Sequence, residues 1–82
     1  MSGTTPPGHD YATTANTTAT EFRASVNGHK VIPDVTGTPG DWTITIPGGE
    51  IECNHGHPGT LVIQANIGGT WETLETVSIE PC

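Results

Sequence analysis

Residues 60–80, TLVIQANIGGTWETLETVSIE, carry the pattern that decides the fold. Apolar and polar residues alternate on both sides of Gly68-Gly69, which is typical of two antiparallel strands joined by a two-residue turn. A regular hairpin places Leu61, Ile63, Ala65, Ile67 and Leu74 on one face, and Val62, Trp71, Val77 and Ile79 on the other. Two explanations stay open. Either a β-bulge near Thr73 to Thr76 shifts the second strand, or both faces of the hairpin are covered.

The chain before this hairpin also has the pattern of strands. Asn27-Gly28 lies between short alternating runs in residues 21–35 and is the strongest local hairpin signal. Alternating apolar residues in 41–46 and 50–53 flank the Pro47 to Gly49 turn. No segment has a convincing helical period. We therefore predict an all-β fold, a small antiparallel sandwich or barrel with an extended N-terminal arm. Its six strands are predicted at residues 21–27, 29–35, 41–47, 49–54, 60–67 and 70–79.

The first twenty residues differ in composition from the rest of the chain. They hold seven of the fifteen threonines, and Tyr11 is their only aromatic residue. Such a segment cannot form a core of its own, and Pro6-Pro7 favours an extended backbone. We therefore predict an extended arm at residues 1–20 and a compact β domain at residues 21–82. We expect the arm to bind a partner, and its candidate contact residues are Thr4, Pro6, Pro7, Tyr11, Thr13 and Thr17.

The composition predicts a small core and an acidic surface. Leu, Ile, Val and Phe together number 15 of 82 residues, so burial alone offsets little of the chain entropy. The chain has nine acidic residues and only two basic ones, Arg23 and Lys30, which gives a net charge of -7. This charge disfavours nucleic acid and anionic membrane as partners. No membrane span or secretion signal is evident, so we expect synthesis in the cytoplasm.

A cysteine and two histidines alternate in residues 50–59, EIECNHGHPG. Alternate residues of a strand share a face, so Cys53, His55 and His57 could converge on one zinc ion. A further ligand could come from Cys82, His29 or His9. The chain lacks the paired knuckles of structural zinc sites, and glycine and proline around His57 indicate a turn. We favour a polar loop with two solvated histidines, and we predict no metal and no cofactor.

Cys53 could form a disulfide instead of binding a metal. A disulfide between Cys53 and Cys82 would stabilise the fold by about 3.5 kcal/mol in the chain-entropy model. Cytosolic proteins tend to stay reduced, and Cys82 is the last residue of the chain. We therefore favour two free thiols and keep the disulfide as the alternative.

No catalytic signature stands out, and we predict that the protein is not an enzyme. Asp41 with Glu50, or Glu50 with Glu52, could in principle form a glycosidase carboxylate pair. Scattered acids on strand edges more often prevent aggregation, and this small core offers few walls for a pocket. No serine lies in a nucleophile-elbow context.

The aromatic residues offer another kind of site. Trp42, Trp71 or Tyr11 could stack on a sugar ring if they were exposed. Each tryptophan alternates with apolar neighbours, so we expect both to be buried in the core.

The arm at 1–20, the acidic β domain at 21–82 and the small core resemble the decoration (cement) proteins of tailed bacteriophages. The resemblance implies a virion protein on the outer capsid surface, made in the host cytoplasm. It implies a homo-oligomer, with a trimer favoured, that bridges major capsid subunits through its N-terminal arm. The first alternative is a carbohydrate- or receptor-binding β-sandwich module of a tail fibre or cell surface. The second is another small structural protein of the tail or of head completion.

Overall fold

The computed structural model describes residues 4–82, and these residues form a β-sandwich of eight strands. The strands are β1 (Thr4–Thr5), β2 (Tyr11–Ala15), β3 (Phe22–Val26), β4 (His29–Val31), β5 (Asp34–Thr38), β6 (Asp41–Ile46), β7 (Gly59–Ile67) and β8 (Thr70–Ile79). A 3-10 helix, Gly48–Glu50, follows β6. The predicted all-β class is confirmed, and the architecture is a sandwich. Within residues 4–82 no helix has the length and hydropathy needed to span a membrane.

The strands form two sheets that share one core. Five strands pair in the order β1-β8-β7-β3-β4, and three pair in the order β2-β6-β5. Every pairing is antiparallel except that of β1 with β8. The order β2-β6-β5 opposite β8-β7-β3-β4 is the B-E-D and G-F-C-C′ order of immunoglobulin-type sandwiches. This likeness concerns topology alone and carries no function.

The core lies between the two sheets and is small, as the composition predicts. It consists of Ala24, Val26, Val31, Ile44, Ile46, Ile51, Leu61, Ile63, Val77 and Ile79. In β6 the buried residues alternate with more exposed ones, and in β7 the buried positions recur at every second residue. Each of these strands therefore turns one face to the core and the other to solvent.

Two of the predicted hairpins are confirmed. Asn27 and Gly28 both have positive φ, 52° and 84°, and join β3 to β4. Gly68 and Gly69 have φ of 63° and 88° and join β7 to β8. Two successive positive φ values are what tight hairpin turns need, and asparagine and glycine adopt them at the least cost.

A β-bulge in β8 explains why the sequence pattern places apolar residues on both faces of the last hairpin. Ile63 pairs with Glu75, but the next residue, Gln64, pairs with Thr73, so Leu74 is the extra residue. The bulge lies in the interval predicted for it. It turns Val77 and Ile79 to the core, whereas Trp71 faces outward from the five-stranded sheet.

Two predicted strands are wrong. Residues 49–54 contain the end of the 3-10 helix and a loop, because the backbone N–H of Glu50 bonds to the Pro47 carbonyl at 3.0 Å. The predicted strand at 29–35 is divided between the sheets, since β4 ends at Val31 and β5 begins at Asp34. Proline at position 33 cannot donate to a ladder, and the chain crosses between the sheets there.

An extended arm is expected at residues 1–20, of which residues 1–3 lie outside the described part of the chain. In the rest of this range, residues 4–5 and 11–15 are strands of the sandwich. β1 pairs with β8 at an edge of the five-stranded sheet, and β2 pairs with β6 at an edge of the three-stranded sheet. Thr5 is 4% exposed. Threonine is β-branched and favours strands, so a segment poor in large apolar groups can still complete a sheet whose neighbours supply the core.

Candidate functional site

The outer face of the five-stranded sheet carries a connected group of polar and aromatic side chains. The guanidinium carbon of Arg23 lies 4.3 Å from the centroid of a Trp71 ring. Arg23 Nε donates a 2.7 Å hydrogen bond to Gln64 Oε1, and Gln64 Nε2 donates a 3.1 Å bond to Thr73 Oγ1. The sheet register positions these contacts, since Arg23, Gln64 and Thr73 are successive cross-strand partners in β3, β7 and β8.

Both basic residues of the chain lie on this face. Lys30 in β4 is the cross-strand partner of Ser25, which follows Arg23 by two residues and shares its outward direction. Cross-strand diagonals of this kind place side chains about 7–8 Å apart. Neither cation pairs with a carboxylate within residues 4–82, although the chain has nine acidic residues. The face therefore concentrates unpaired positive charge on an acidic protein.

These side chains line a groove of about 420 Å³. Its wall residues are Phe22, Arg23, Ala24, Ser25, Gly28, Lys30, Gln64 and Trp71. Small-molecule pockets typically enclose roughly 300–1,000 Å³, so the groove can hold a ligand of modest size.

The expectation that both tryptophans are buried in the core is wrong, because each is half-buried. Trp71 lies on the outer face of the five-stranded sheet beside Arg23, because it is the cross-strand partner of Asn66, which alternates with the buried Ala65 of β7. Trp42 faces Phe22 edge-on, with ring centroids 5.7 Å apart and an interplanar angle of 73°. The Nε1 atom of Trp42 is buried and has no hydrogen-bond partner among the described residues.

Cys53 and Cys82 form a disulfide, so the expectation of two free thiols is wrong. Their Cα atoms are 5.6 Å apart, within the range that a disulfide spans without backbone movement. The end of the chain is held nearby, because the backbone N–H of Glu80 donates to the Thr5 carbonyl at 2.9 Å. This bond depends on β1, which the sequence pattern does not indicate.

The disulfide also takes one ligand from the candidate metal site at Cys53, His55 and His57. The Cys53 sulfur is bonded to Cys82 and is no free thiolate. His55 and His57 are exposed in a short turn closed by a bridge between Asn54 and His57, which agrees with the polar loop favoured from the sequence. No cluster of three or more metal-ligating side chains occurs in the described part of the chain.

The predicted partner-contact residues have different environments. Thr4 and Pro6 are exposed, Pro7 is half-buried, and Thr4 pairs with Ser78 of β8. The Tyr11 hydroxyl donates to Glu75 Oε2, and Thr13 Oγ1 donates to Glu75 Oε1 at 2.7 Å. The carbonyl of the half-buried Thr17 accepts from the Gly40 N–H at 2.9 Å. The side chains of Tyr11 and Thr13 therefore bind within the molecule.

β2 leaves one backbone edge without a strand neighbour among the described residues. It is the outer strand of the order β2-β6-β5, and β6 occupies its other side. Its sequence, YATTA, contains no charge, proline or glycine. Ala12 and Thr14 are exposed on the outer face of the sheet.

Of the two carboxylate pairs considered for catalysis, Asp41 with Glu50 is too far apart to act on one substrate bond. Asp41 begins β6, whereas Glu50 follows the end of that strand, which is roughly 16 Å long. Glycosidase pairs are separated by about 5–9.5 Å, so Asp41 and Glu50 do not form such a pair. Glu50 and Glu52 are both exposed.

Comparisons of the chain with protein-family models, curated proteins and solved structures found no significant match.

Proposed function

We propose that the protein is a virion structural protein that decorates the outer surface of a phage head and bridges major capsid subunits. In this proposal, attachment uses the N-terminal segment, and the contact is made at the free edge of β2. A strand of a capsid subunit pairs with that edge and extends the three-stranded sheet. Backbone hydrogen bonds then supply much of the affinity, as in other cases of strand addition.

The observation that carries the proposal is the contrast between β2 and the three other edge strands. β1 has two residues and runs into Pro6-Pro7. β4 has three residues, one of them Lys30. β5 contains Asp34 and a glycine with φ of 111°. Short length, charge, proline and irregular backbone are devices that keep edges from pairing, and β2 lacks all of them.

The small core and the disulfide support an assembly role. A domain with this little apolar burial gains stability from cross-links and from neighbours. If the protein forms the trimer that the resemblance implies, three β2 edges bind one capsid at once. Linked contacts of that kind raise the overall affinity without any new contact in each subunit. The net charge of -7 suits an outward surface better than one facing DNA.

A matched pair of variants tests the β2 contact. Thr14 in β2 and Thr36 in β5 are both cross-strand partners of Thr43, so they lie in one row on the exposed face, at opposite edges. Thr14→Lys places a charge at the proposed contact, and Thr36→Lys makes the same change at the other edge. We expect Thr14→Lys to weaken binding to heads of the encoding phage at least tenfold, and Thr36→Lys to change it less than twofold.

The readout is co-sedimentation of the purified variants with isolated heads that lack this protein. Equal binding by both variants would exclude the β2 edge as the contact. Failure of the unaltered protein to bind heads would exclude the decoration function itself. The carbohydrate-binding alternative is favoured by a different feature, the groove at Arg23 and Trp71, which is independent of β2.

A further inference from the structure

We propose that the groove on the outer face of the five-stranded sheet binds a carboxylate-bearing sugar, such as one uronic acid residue of an acidic polysaccharide. Arg23 binds the carboxylate. Ser25, Lys30 and Gln64 supply hydrogen-bonding groups for the hydroxyls, and Trp71 forms an aromatic wall. This site lies on the opposite sheet from β2 and does not depend on the capsid function.

The first argument is the distribution of charge. Acidic residues outnumber basic ones by nine to two, yet neither basic residue pairs with a carboxylate within residues 4–82. Both cations instead line one groove. An arginine on an acidic surface ordinarily has many carboxylates within reach, so this arrangement leaves the guanidinium for a carboxylate from outside the chain. One carboxylate lies near the groove, that of Glu21, and it accepts a 3.2 Å hydrogen bond from Asn66 Nδ2. More distant negative charge is screened beyond about 8–10 Å at ordinary ionic strength, so recognition depends on the local groups.

The second argument is that Arg23 is held in position before any ligand binds. Trp71 lies against the guanidinium at 4.3 Å, and Gln64 accepts from Nε at 2.7 Å. Gln64 is in turn positioned by Thr73. The terminal Nη groups are not used by these contacts, and a guanidinium can bind a carboxylate with two parallel hydrogen bonds. A side chain that is already ordered loses little entropy on binding.

The third argument is the shape and chemistry of the walls, which favour a sugar over a peptide or a simple anion. The groove has a volume of about 420 Å³, which a small inorganic anion would leave largely empty. Ser25 and Gln64 offer a hydroxyl and an amide that can bond to sugar hydroxyls. Extended peptides commonly bind to sheet edges, whereas this groove lies on a sheet face between β3, β4, β7 and β8.

The test uses Trp71 as the reporter. Trp42→Phe removes the other indole of the chain and keeps an aromatic ring beside Phe22. In this background, Trp71 fluorescence is titrated with an oligogalacturonate, a neutral malto-oligosaccharide of equal length, an oligoglutamate and acetate. We expect a saturable change with the oligogalacturonate at submillimolar concentration. We expect no saturation by the three other ligands over the same range.

The decisive variant is Arg23→Gln, which changes the net charge from -7 to -8. Its matched control is Thr36→Glu, which gives the same net charge but lies on the three-stranded sheet. We expect Arg23→Gln to weaken oligogalacturonate binding at least tenfold and Thr36→Glu to change it less than twofold. Should Trp42→Phe disturb the fold, the amide and indole NMR signals of the unaltered protein replace fluorescence, with Trp71 and Gln64 shifting on binding.

Several results would overturn the site. Absence of binding by the oligogalacturonate excludes the proposal, and equal binding of the neutral sugar excludes recognition of the carboxylate. Equal binding of acetate shows a general anion site, and equal binding of oligoglutamate shows an acidic-peptide site. Binding of Arg23→Gln to phage heads should be unchanged, which separates failure of this site from failure of the capsid function.

Discussion

Thr13 in β2 donates a 2.7 Å hydrogen bond to the Glu75 carboxylate in β8 and thereby joins the two sheets near their rim. The Tyr11 hydroxyl donates to the other oxygen of the same carboxylate. Glu75 thus binds two residues that precede it by 62 and 64 positions in the sequence, Thr13 and Tyr11. The N-terminal segment is tied to the C-terminal strand by its side chains as well as by its backbone.

This connection predicts the effect of removing residues 1–15. The deletion removes β1 and β2, uncovers one edge of β6 and leaves the Glu75 carboxylate without its two donors. We expect loss of cooperative thermal unfolding, or a melting temperature lower by at least 15 °C, measured by circular dichroism. An unchanged melting temperature would show that the segment is not part of the stable fold.

The Tyr11–Glu75 hydrogen bond gives a more local prediction. Tyr11→Phe keeps the ring against the core and removes the hydroxyl, so we expect a loss of about 0.5–1.5 kcal/mol in the free energy of unfolding. Thr13→Val should cost a similar amount. Urea unfolding of both single variants and the double variant measures the coupling. Strict additivity would show that the two donors act independently on Glu75.

The disulfide predicts a larger effect on stability. Cys53 and Cys82 are 29 residues apart, and opening this loop should destabilise the protein by about 3.5 kcal/mol in the chain-entropy model. The Cys53→Ser/Cys82→Ser double variant and the reduced unaltered protein should unfold at the same urea concentration. A double variant as stable as the oxidised protein would contradict this account.

Two neighbouring glycines allow a matched test of the packing between the N-terminal segment and the 3-10 helix. A Cβ at Gly48 would lie 2.7 Å from the Gly8 carbonyl oxygen and 2.9 Å from the Asp10 nitrogen, both backbone atoms. A Cβ at Gly49 would meet no heavy atom within 4 Å. We expect Gly48→Ala to cost about 1–3 kcal/mol in the free energy of unfolding and Gly49→Ala to cost much less. Equal effects of the two substitutions would mean that residues 8–10 do not pack here.

Sequence patterns are sufficient for the parts of the fold whose signals are local. The Asn27-Gly28 and Gly68-Gly69 hairpins follow from turn chemistry, and the bulge is one of the two explanations that the conflict of faces leaves open. β1 and β2 lack such a signal, because Thr4–Thr5 and YATTA contain few large apolar residues and acquire their place from tertiary pairing. The strand predicted at 49–54 is wrong for a similar reason, because a distant residue affects this turn. Asp10 Oδ1, 38 positions earlier in the sequence, accepts a 2.6 Å hydrogen bond from the Gly48 N–H.

The groove shows why the candidate site is harder to predict than the fold. Arg23 and Trp71 are 48 positions apart, and their contact depends on the pairing of β7 with both β3 and β8. In a regular hairpin Trp71 shares a face with Val77 and Ile79, so the sequence alone does not show whether that face is buried or exposed.

The most direct test of the central claim is a cryo-EM reconstruction of heads decorated with this protein. Our account predicts that the protein sits on the outer surface, with a capsid strand paired to β2 along Tyr11–Ala15 and the groove at Arg23 left open. Heads that bind no copies, or copies attached with the β2 edge facing solvent, would contradict it.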